Sequence, residues 1–203
     1  MLKNIIFDLG NVLISFRPSE YFDKNNYPEN FKARILSDIF DSKEWQMLDK
    51  GEITTHEVIE AIALKSSLKR EEIAHIFKLR KELLFPIDQN VRLLPELRKQ
   101  GFRLYFLSNF PLDLFEEVKT GYYFFKHFDG GVISAQAKFT KPHSRIYEIL
   151  LEKYSLMPEE CLFIDDIEIN VKAAEAVGMK GLVTFGSIGI EKEIKKALAL
   201  NSN

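Results

Sequence analysis

Five short apolar runs, rich in β-branched and aromatic residues, constrain this chain more than any other feature: Asn4 to Phe7, Arg103 to Leu107, Gly131 to Ile133, Cys161 to Ile164 and Gly181 to Thr184. Between the later runs lie stretches with helical spacing, Leu112 to Lys119, Ser144 to Tyr154 and Ile169 to Val177, the last stopped by Gly178. This alternation reads as βα units around a parallel sheet. A parallel strand is covered on both faces, so it needs a continuous apolar run such as NIIF, YFL or CLFI, and a crossover helix must return the chain.

From Arg17 to Pro86 the texture changes. No strand is expected there, and apolar residues fall at helical spacings, as in Phe31, Ile35 and Ile39, then Val58 and Ile62, then Ile73 and Phe77. Asp49-Lys-Gly51-Glu reads as a turn, Thr54 or Thr55 as a helix N-cap with Glu57 or Glu60 early in the next helix, and Arg70 to Leu84 as a further helix. The expected organisation is an α/β sheet domain, residues 1–16 and 87–203, split by a small helical bundle at 17–86. A last helix, Glu191 to Leu200, mixes Lys192, Lys195 and Lys196 with Glu191 and Glu193, the pattern of a solvated face.

Composition narrows the function classes. Lys+Arg 28 against Asp+Glu 30, a net charge of -2, is not the footprint of a nucleic-acid binder, whose phosphate contacts call for a cationic surplus. The lone Cys161 cannot form an internal disulfide, and MLKNIIFDLG lacks the apolar stretch and cleavage site of a secretory signal. No apolar run approaches the roughly 18 to 20 residues that span a bilayer. The expectation is therefore a cytoplasmic protein, monomer or homodimer, with neither nucleic acid nor membrane as partner.

In an open parallel sheet, ligands bind beyond the carboxyl ends of the strands. That rule selects Asp8-Leu9-Gly10-Asn11 after the first run, Ser108-Asn109 after the second, Lys141-Pro142 beyond the third and Asp165-Asp166 after the fourth. Carboxylates crowded together repel one another unless a cation relieves them. Mg²⁺, which takes one or two carboxylates together with water and phosphate oxygens, is the natural relief. A carboxylate nucleophile, a lysine, a hydroxyl and Mg²⁺ are the parts of phosphoryl transfer through an aspartyl-phosphate on Asp8.

Taken in order, Phe7-Asp-Leu-Gly-Asn-Val12, Leu107-Ser-Asn109, Lys141-Pro142 and Phe163-Ile-Asp-Asp166 with Asn170 resemble the four motifs of the haloacid dehalogenase superfamily. The FDLGNV start and the stretch Trp45-Gln-Met-Leu-Asp-Lys-Gly51-Glu-Ile-Thr54 resemble more closely its α-D-glucose-1-phosphate phosphatases and the phosphatase domain of epoxide hydrolases. The resemblance implies a Rossmann-like core under a helical cap and a small phosphorylated substrate, a sugar phosphate in particular. It implies Asp8 as nucleophile and metal ligand, Gly10 as a carbonyl ligand, and Asp165 and Asp166 as the rest of the metal site, Asp166 being the safer of the two. Ser108 and Lys141 would act on the phosphoryl group, with Asn109, Asn11 and Trp45 as substrate contacts.

The chain departs from the family at one chemically important place. Most phosphatases of this superfamily carry an acid/base aspartate where Gly10 stands, and such a group is worth about 10²- to 10⁴-fold. Either the leaving group is good, as the anomeric oxygen of a sugar 1-phosphate is, or another group supplies the proton. The superfamily's metal-independent dehalogenases also lack this aspartate, but carry neutral residues where this chain has Asp165-Asp166. Dehalogenation, and a low-activity phosphometabolite-binding protein, are the alternatives. His143, next to Lys141-Pro142, is expected to be a solvent-exposed loop residue.

Overall fold

The computed structural model describes residues 1–184 and 190–199. The strands are β1 (Asn4–Phe7), β2 (Ile14–Phe16), β3 (Leu84–Pro86), β4 (Arg103–Ser108), β5 (Gly130–Ile133), β6 (Cys161–Asp165) and β7 (Lys180–Val183). Among the described residues β5-β4-β1-β6-β7 form one parallel sheet, while β2 and β3 form a separate antiparallel pair.

Helices α1 (Pro18–Lys24), α2 (Glu29–Ile35), α3 (Lys43–Asp49), α4 (Thr55–Ala63) and α5 (Arg70–Leu79) lie between β2 and β3. The remainder, α6 (Asp88–Val91), α7 (Leu93–Lys99), α8 (Leu112–Gly121), α9 (Ser134–Ala137), α10 (Ser144–Tyr154), α11 (Glu168–Ala176) and α12 (Ile190–Ala199), accompany the sheet. Leu200, the expected end of the last helix, lies outside the described residues. No described helix is long and apolar enough to cross a membrane.

The period-two geometry of a strand sorts the apolar runs onto two faces. Ile5, Phe7, Leu104, Phe106, Leu162 and Ile164 join the cluster on one side of the sheet; Ile6, Tyr105, Leu107 and Phe163 join that on the other. Both faces are covered, which is why these runs are apolar throughout. A third cluster, with Phe22, Ile35, Ile39, Trp45, Val58, Ile62, Ile73 and Phe77, belongs to the helical insertion. Thr54 is the N-cap of α4, its hydroxyl accepting from the Glu57 amide at 3.3 Å while Glu57 accepts from the Thr54 amide at 2.7 Å.

The structure corrects two expectations within the insertion. Its last residues, Leu84–Pro86, form a strand paired with Ile14–Phe16, so the chain leaves and re-enters the sheet region through one antiparallel ribbon. The helix expected to reach Leu84 therefore ends at Leu79, and a 3₁₀ turn, Arg80–Leu83, leads into that strand.

Gly51 shows how closely the insertion approaches α9. Its φ is +69°, and a Cβ there would stand 2.4 Å from the Ala135 carbonyl oxygen and 2.9 Å from the Ala135 Cα. Gly101 has a φ of +92° but open space around it. Gly101→Ala is expected to lose about 1 kcal/mol from left-handed strain alone. Gly51→Ala adds a backbone overlap and should lose clearly more, a difference read from their urea midpoints.

Candidate active site

The order β5-β4-β1-β6-β7 makes the chain reverse direction across the sheet on either side of β1, and the crevice beyond such a switch point is where parallel sheets hold ligands. Phe7 lies opposite Phe106 on one neighbour and Ile164 on the other. Asp8, Ser108, Asp165 and Asp166, each at or just past a strand end, consequently emerge side by side.

Lys141 enters from the loop between α9 and α10 and joins them. Its buried ammonium lies 2.8 Å from Asp8 Oδ1 and 2.6 Å from Asp165 Oδ2. Asn109 fixes the backbone beneath it, its Oδ1 accepting the Lys141 N–H at 2.8 Å and its Nδ2 donating to the Lys141 carbonyl at 3.1 Å. Asp165 is fully buried and its acceptor positions are occupied: besides Lys141, Asn170 Nδ2 lies 3.1 Å from each of its oxygens and the Ile167 amide donates to Oδ1 at 2.8 Å. Asp166 is half-buried, and its partner is the Asn11 side chain.

The electrostatics follow from three carboxylates sharing one ammonium. Burial pushes the Asp8 carboxyl up to about 6; Lys141 pulls it down, Asp165 pushes it further up, and hydrogen bonds from Lys141 and Ser108 draw it down again. Burial, then the Asp165 charge, raises Asp166 as well. Burial works against the Lys141 charge, but Asp8 and Asp165 overcome it and hold the ammonium above its ordinary range. The site has a shortage of positive charge.

That shortage and the donor set together test the fit of a cation. One oxygen from each of Asp8, Asp165 and Asp166 lies within 4.8 Å of the others. Hard carboxylate oxygens in a cluster with unbalanced negative charge suit Mg²⁺, not a thiolate- or imidazole-seeking metal.

A cavity of about 160 Å³ adjoins this cluster, between the strand ends and the insertion. Gly10, Asn109, Asp49 and Trp45 contribute to its wall, and Phe16, Leu84, Phe110, Pro111 and Leu114 make it mainly apolar. Trp45 reaches it from the insertion's core, stacked on Phe16 with centroids 6.2 Å apart.

Of the residues singled out in the sequence, Asp8, Ser108, Lys141, Asp165 and Asp166 meet in one cluster, and Gly10, Asn109 and Trp45 line the adjoining cavity. Asn11 is not among the cavity residues. With φ at +52° it shapes the turn after β1, and its Oδ1 accepts the Phe16 amide at 3.0 Å. His143 is exposed and is the N-cap of α10, its Nδ1 accepting the Arg145 amide at 3.1 Å. Phe16, Leu84 and Phe110 carry no local signal in the sequence, and Asp49 stands out there only as part of a turn and of the stretch from Trp45 to Thr54; the packing of the insertion brings all four to this cavity.

The chain is 30% identical over 194 residues to a sesquiterpene phosphatase of Aspergillus oryzae, a match covering 96% of this chain and 95% of the relative. It superposes with a TM-score of 0.74, at 25% identity, on a HAD family enzyme of Bacteroides thetaiotaomicron solved with magnesium and inorganic phosphate, covering 95% and 99% of the two chains. The fold is shared with the L-2-haloacid dehalogenase of Xanthobacter autotrophicus, at 19% identity and a TM-score of 0.69 over 91% and 78% of the chains. Residues 2–178 match the profile of the haloacid dehalogenase-like hydrolases, and with the four strand-end motifs assembled in one cluster the chain belongs to that family.

Proposed function

We propose that this hydrolase is a Mg²⁺-dependent phosphomonoesterase acting on a small phosphorylated metabolite through an aspartyl-phosphate on Asp8. The observation that carries the reading is Lys141 held 2.8 Å from Asp8 and 2.6 Å from Asp165 beside Asp166. In a dehalogenase, where no metal is required, that surplus of buried negative charge would be an uncompensated cost.

Asp8, Asp166 and the Gly10 carbonyl would hold the ion, with Asp165 at its edge. Bound there, Mg²⁺ supplies charge neutralisation for the phosphoryl oxygens. Asp8 attacks phosphorus in line, the Lys141 ammonium and Ser108 hydroxyl orient the phosphoryl group, and Asp165 with Asn170 fixes Lys141. Asn109 positions the Lys141 backbone while its side chain borders the substrate cavity. Residues 17–86 act as a cap over the core formed by 1–16 and 87–203, and Trp45 presents one wall of the substrate space.

A sugar phosphate remains the expectation from family resemblance, but the cavity lining favours an apolar organic group. Each buried sugar hydroxyl without a partner costs about 1 to 3 kcal/mol, and few polar side chains line this wall. A cavity near 150 Å³ accepts benzene, so about six to eight heavy atoms beyond the phosphate fit without cap movement. The sesquiterpene phosphatase relative acts, by its name, on a larger apolar phosphate, in line with the lining if not with the volume of this cap position.

Phosphate release from a panel of aryl, prenyl and sugar phosphates, including glucose 1-phosphate, with Mg²⁺ and then with EDTA, tests the reading. Metal-dependent release is expected, greatest for the apolar members. Silence across the panel together with chloride release from a 2-haloacid would replace it with the dehalogenase reading.

A further inference from the structure

Position 10 lacks a side chain for no steric reason: a Cβ built on Gly10 meets nothing within 4 Å. The space around position 10, where the family's acid/base aspartate stands, is open, and Gly10 lines the cavity described above. A phosphomonoester with an alkoxide leaving group still needs a proton at the departing oxygen. In an in-line displacement that oxygen leaves on the side opposite Asp8, away from the strand end and toward the insertion.

Asp49, the last residue of α3 in the insertion, lines this cavity together with Gly10, and it is the one titratable side chain among the described residues lining it. Its place relative to the sheet is fixed by hydrogen bonds across the interface. The Ser134 hydroxyl donates to the Asp49 carbonyl and accepts the Phe110 amide at 2.9 Å, tying the end of α3 to the loop that carries Ser108 and Asn109. Two residues on, the Lys138 ammonium donates to the Gly51 carbonyl, where the turn sits against Ala135 without room for a Cβ.

We infer that Asp49 is the general acid and base of this enzyme, reaching from the insertion into the space that Gly10 leaves open. The inference rests on the phosphatase reading and supplies its missing proton donor. In the first half-reaction an Asp8 oxygen bonds to phosphorus, the bond from phosphorus to the leaving oxygen breaks, and that oxygen takes the Asp49 proton to depart as an alcohol. In the second, water attacks the phosphorus of the aspartyl-phosphate and gives a proton to the Asp49 carboxylate. The bond from phosphorus to Asp8 then breaks, releasing phosphate and restoring both aspartates.

The surroundings suit both protonation states. Burial pushes the Asp49 carboxyl up to about 7, against the pull of the Arg80 charge and of hydrogen bonding from Trp45. Arg80 is itself buried: Nη2 holds Asp113 at 2.8 Å, while Nη1 has no hydrogen-bond partner. That guanidinium is the nearby cation able to steady Asp49 once its proton has left. The other charges on elements packed around the turn have partners of their own: Asp113 with Arg80 and Thr55, Lys138 with Gly51, Lys50 with Glu52, and Glu57 with Thr54. His56 stands at the start of α4, on a separate surface groove.

The test is Asp49→Asn, assayed as kcat/KM on an alkyl phosphate and on p-nitrophenyl phosphate, whose leaving group needs no proton. The alkyl value is expected to fall about 10²- to 10³-fold and the aryl value no more than about five-fold. The unsubstituted enzyme should lose alkyl-phosphate kcat/KM as pH rises through about 7, a limb absent from Asp49→Asn. Gly10→Asp placed in the Asp49→Asn background should restore the alkyl rate at least ten-fold. A readout free of turnover is thermal stability. A carboxyl raised on folding stabilises below its unfolded value and loses that contribution progressively up to its folded value, so the stability of Asp49→Asn relative to the parent should rise from pH 5 to pH 8. Equal losses on both substrates, or an unchanged pH limb, would overturn the inference while leaving the phosphatase reading intact. Absence of metal-dependent phosphate release from the parent itself would overturn both.

Discussion

Asp8→Asn is expected to lower phosphate release by about 10⁴-fold or more, the scale seen when a covalent nucleophile is removed. The amide keeps the shape and can still accept the Leu9 amide, which donates to Asp8 Oδ1 at 2.7 Å. Lys141 retains Asp165 at 2.6 Å, so the cluster does not collapse. Because the substitution removes one of three carboxylates that share a single ammonium, the metal-free variant should be at least as stable as the parent. Steady-state phosphate release and a metal-free thermal melt check the two halves; full activity in a folded variant would defeat the nucleophile assignment.

Lys141→Met is expected to fail in both respects. The substitution is close in volume but removes the ammonium between two buried carboxylates, Asp8 and Asp165. Breaking a buried ion pair from one side costs about 3 to 5 kcal/mol, because the partner's charge is left unpaired in a poor solvent. Phosphate release should drop by at least about 10³-fold, since phosphoryl-transfer sites depend on positioned cations. Mg²⁺ should recover part of the lost stability but little activity, because an ion can offset the Asp8 charge without replacing the lysine that aligns it. Urea unfolding with and without Mg²⁺ measures the first claim, and a variant as stable as the parent without metal would contradict it.

The contrast between these two substitutions comes from burial and from charge count, and neither is visible in the motifs. The motifs name Asp165 and Asp166 together as metal-site residues, Asp166 the safer of the two, without saying how either is held. The structure separates them: Asp165 is enclosed by Lys141, Asn170 and the Ile167 amide, while Asp166 stays half-buried beside Asn11. Asn109, expected from the sequence as a substrate contact, lines the cavity and also makes two hydrogen bonds to the Lys141 backbone, a role the motif does not show.

Much of the fold was legible because it rests on short-range patterns. A strand buried on both faces must be apolar throughout, so β1, β4, β5, β6 and β7 stand out with ends misplaced by only a residue or so. Leu84–Pro86 did not stand out. Three residues including a proline make no strand pattern, and this pair exists only because the chain returns beside Ile14–Phe16. The same return cuts α5 short at Leu79, where local helical spacing would have carried it on.

Sequence alone determined the alternation of strands and helices, the run of helices between the first strand and the rest of the sheet, and the strand-end residues that must share a crevice, because side-chain periodicity and parallel topology are properties of the chain itself. Tertiary structure alone decided which carboxylates restrain Lys141, how apolar the cavity is, and that Asp49 and Gly10 line the same cavity. Those depend on the seating of the helical insertion against α9, at Gly51 on Ala135 and Ser134 on Asp49, and contacts between residues so distant in the chain leave no periodic trace in it.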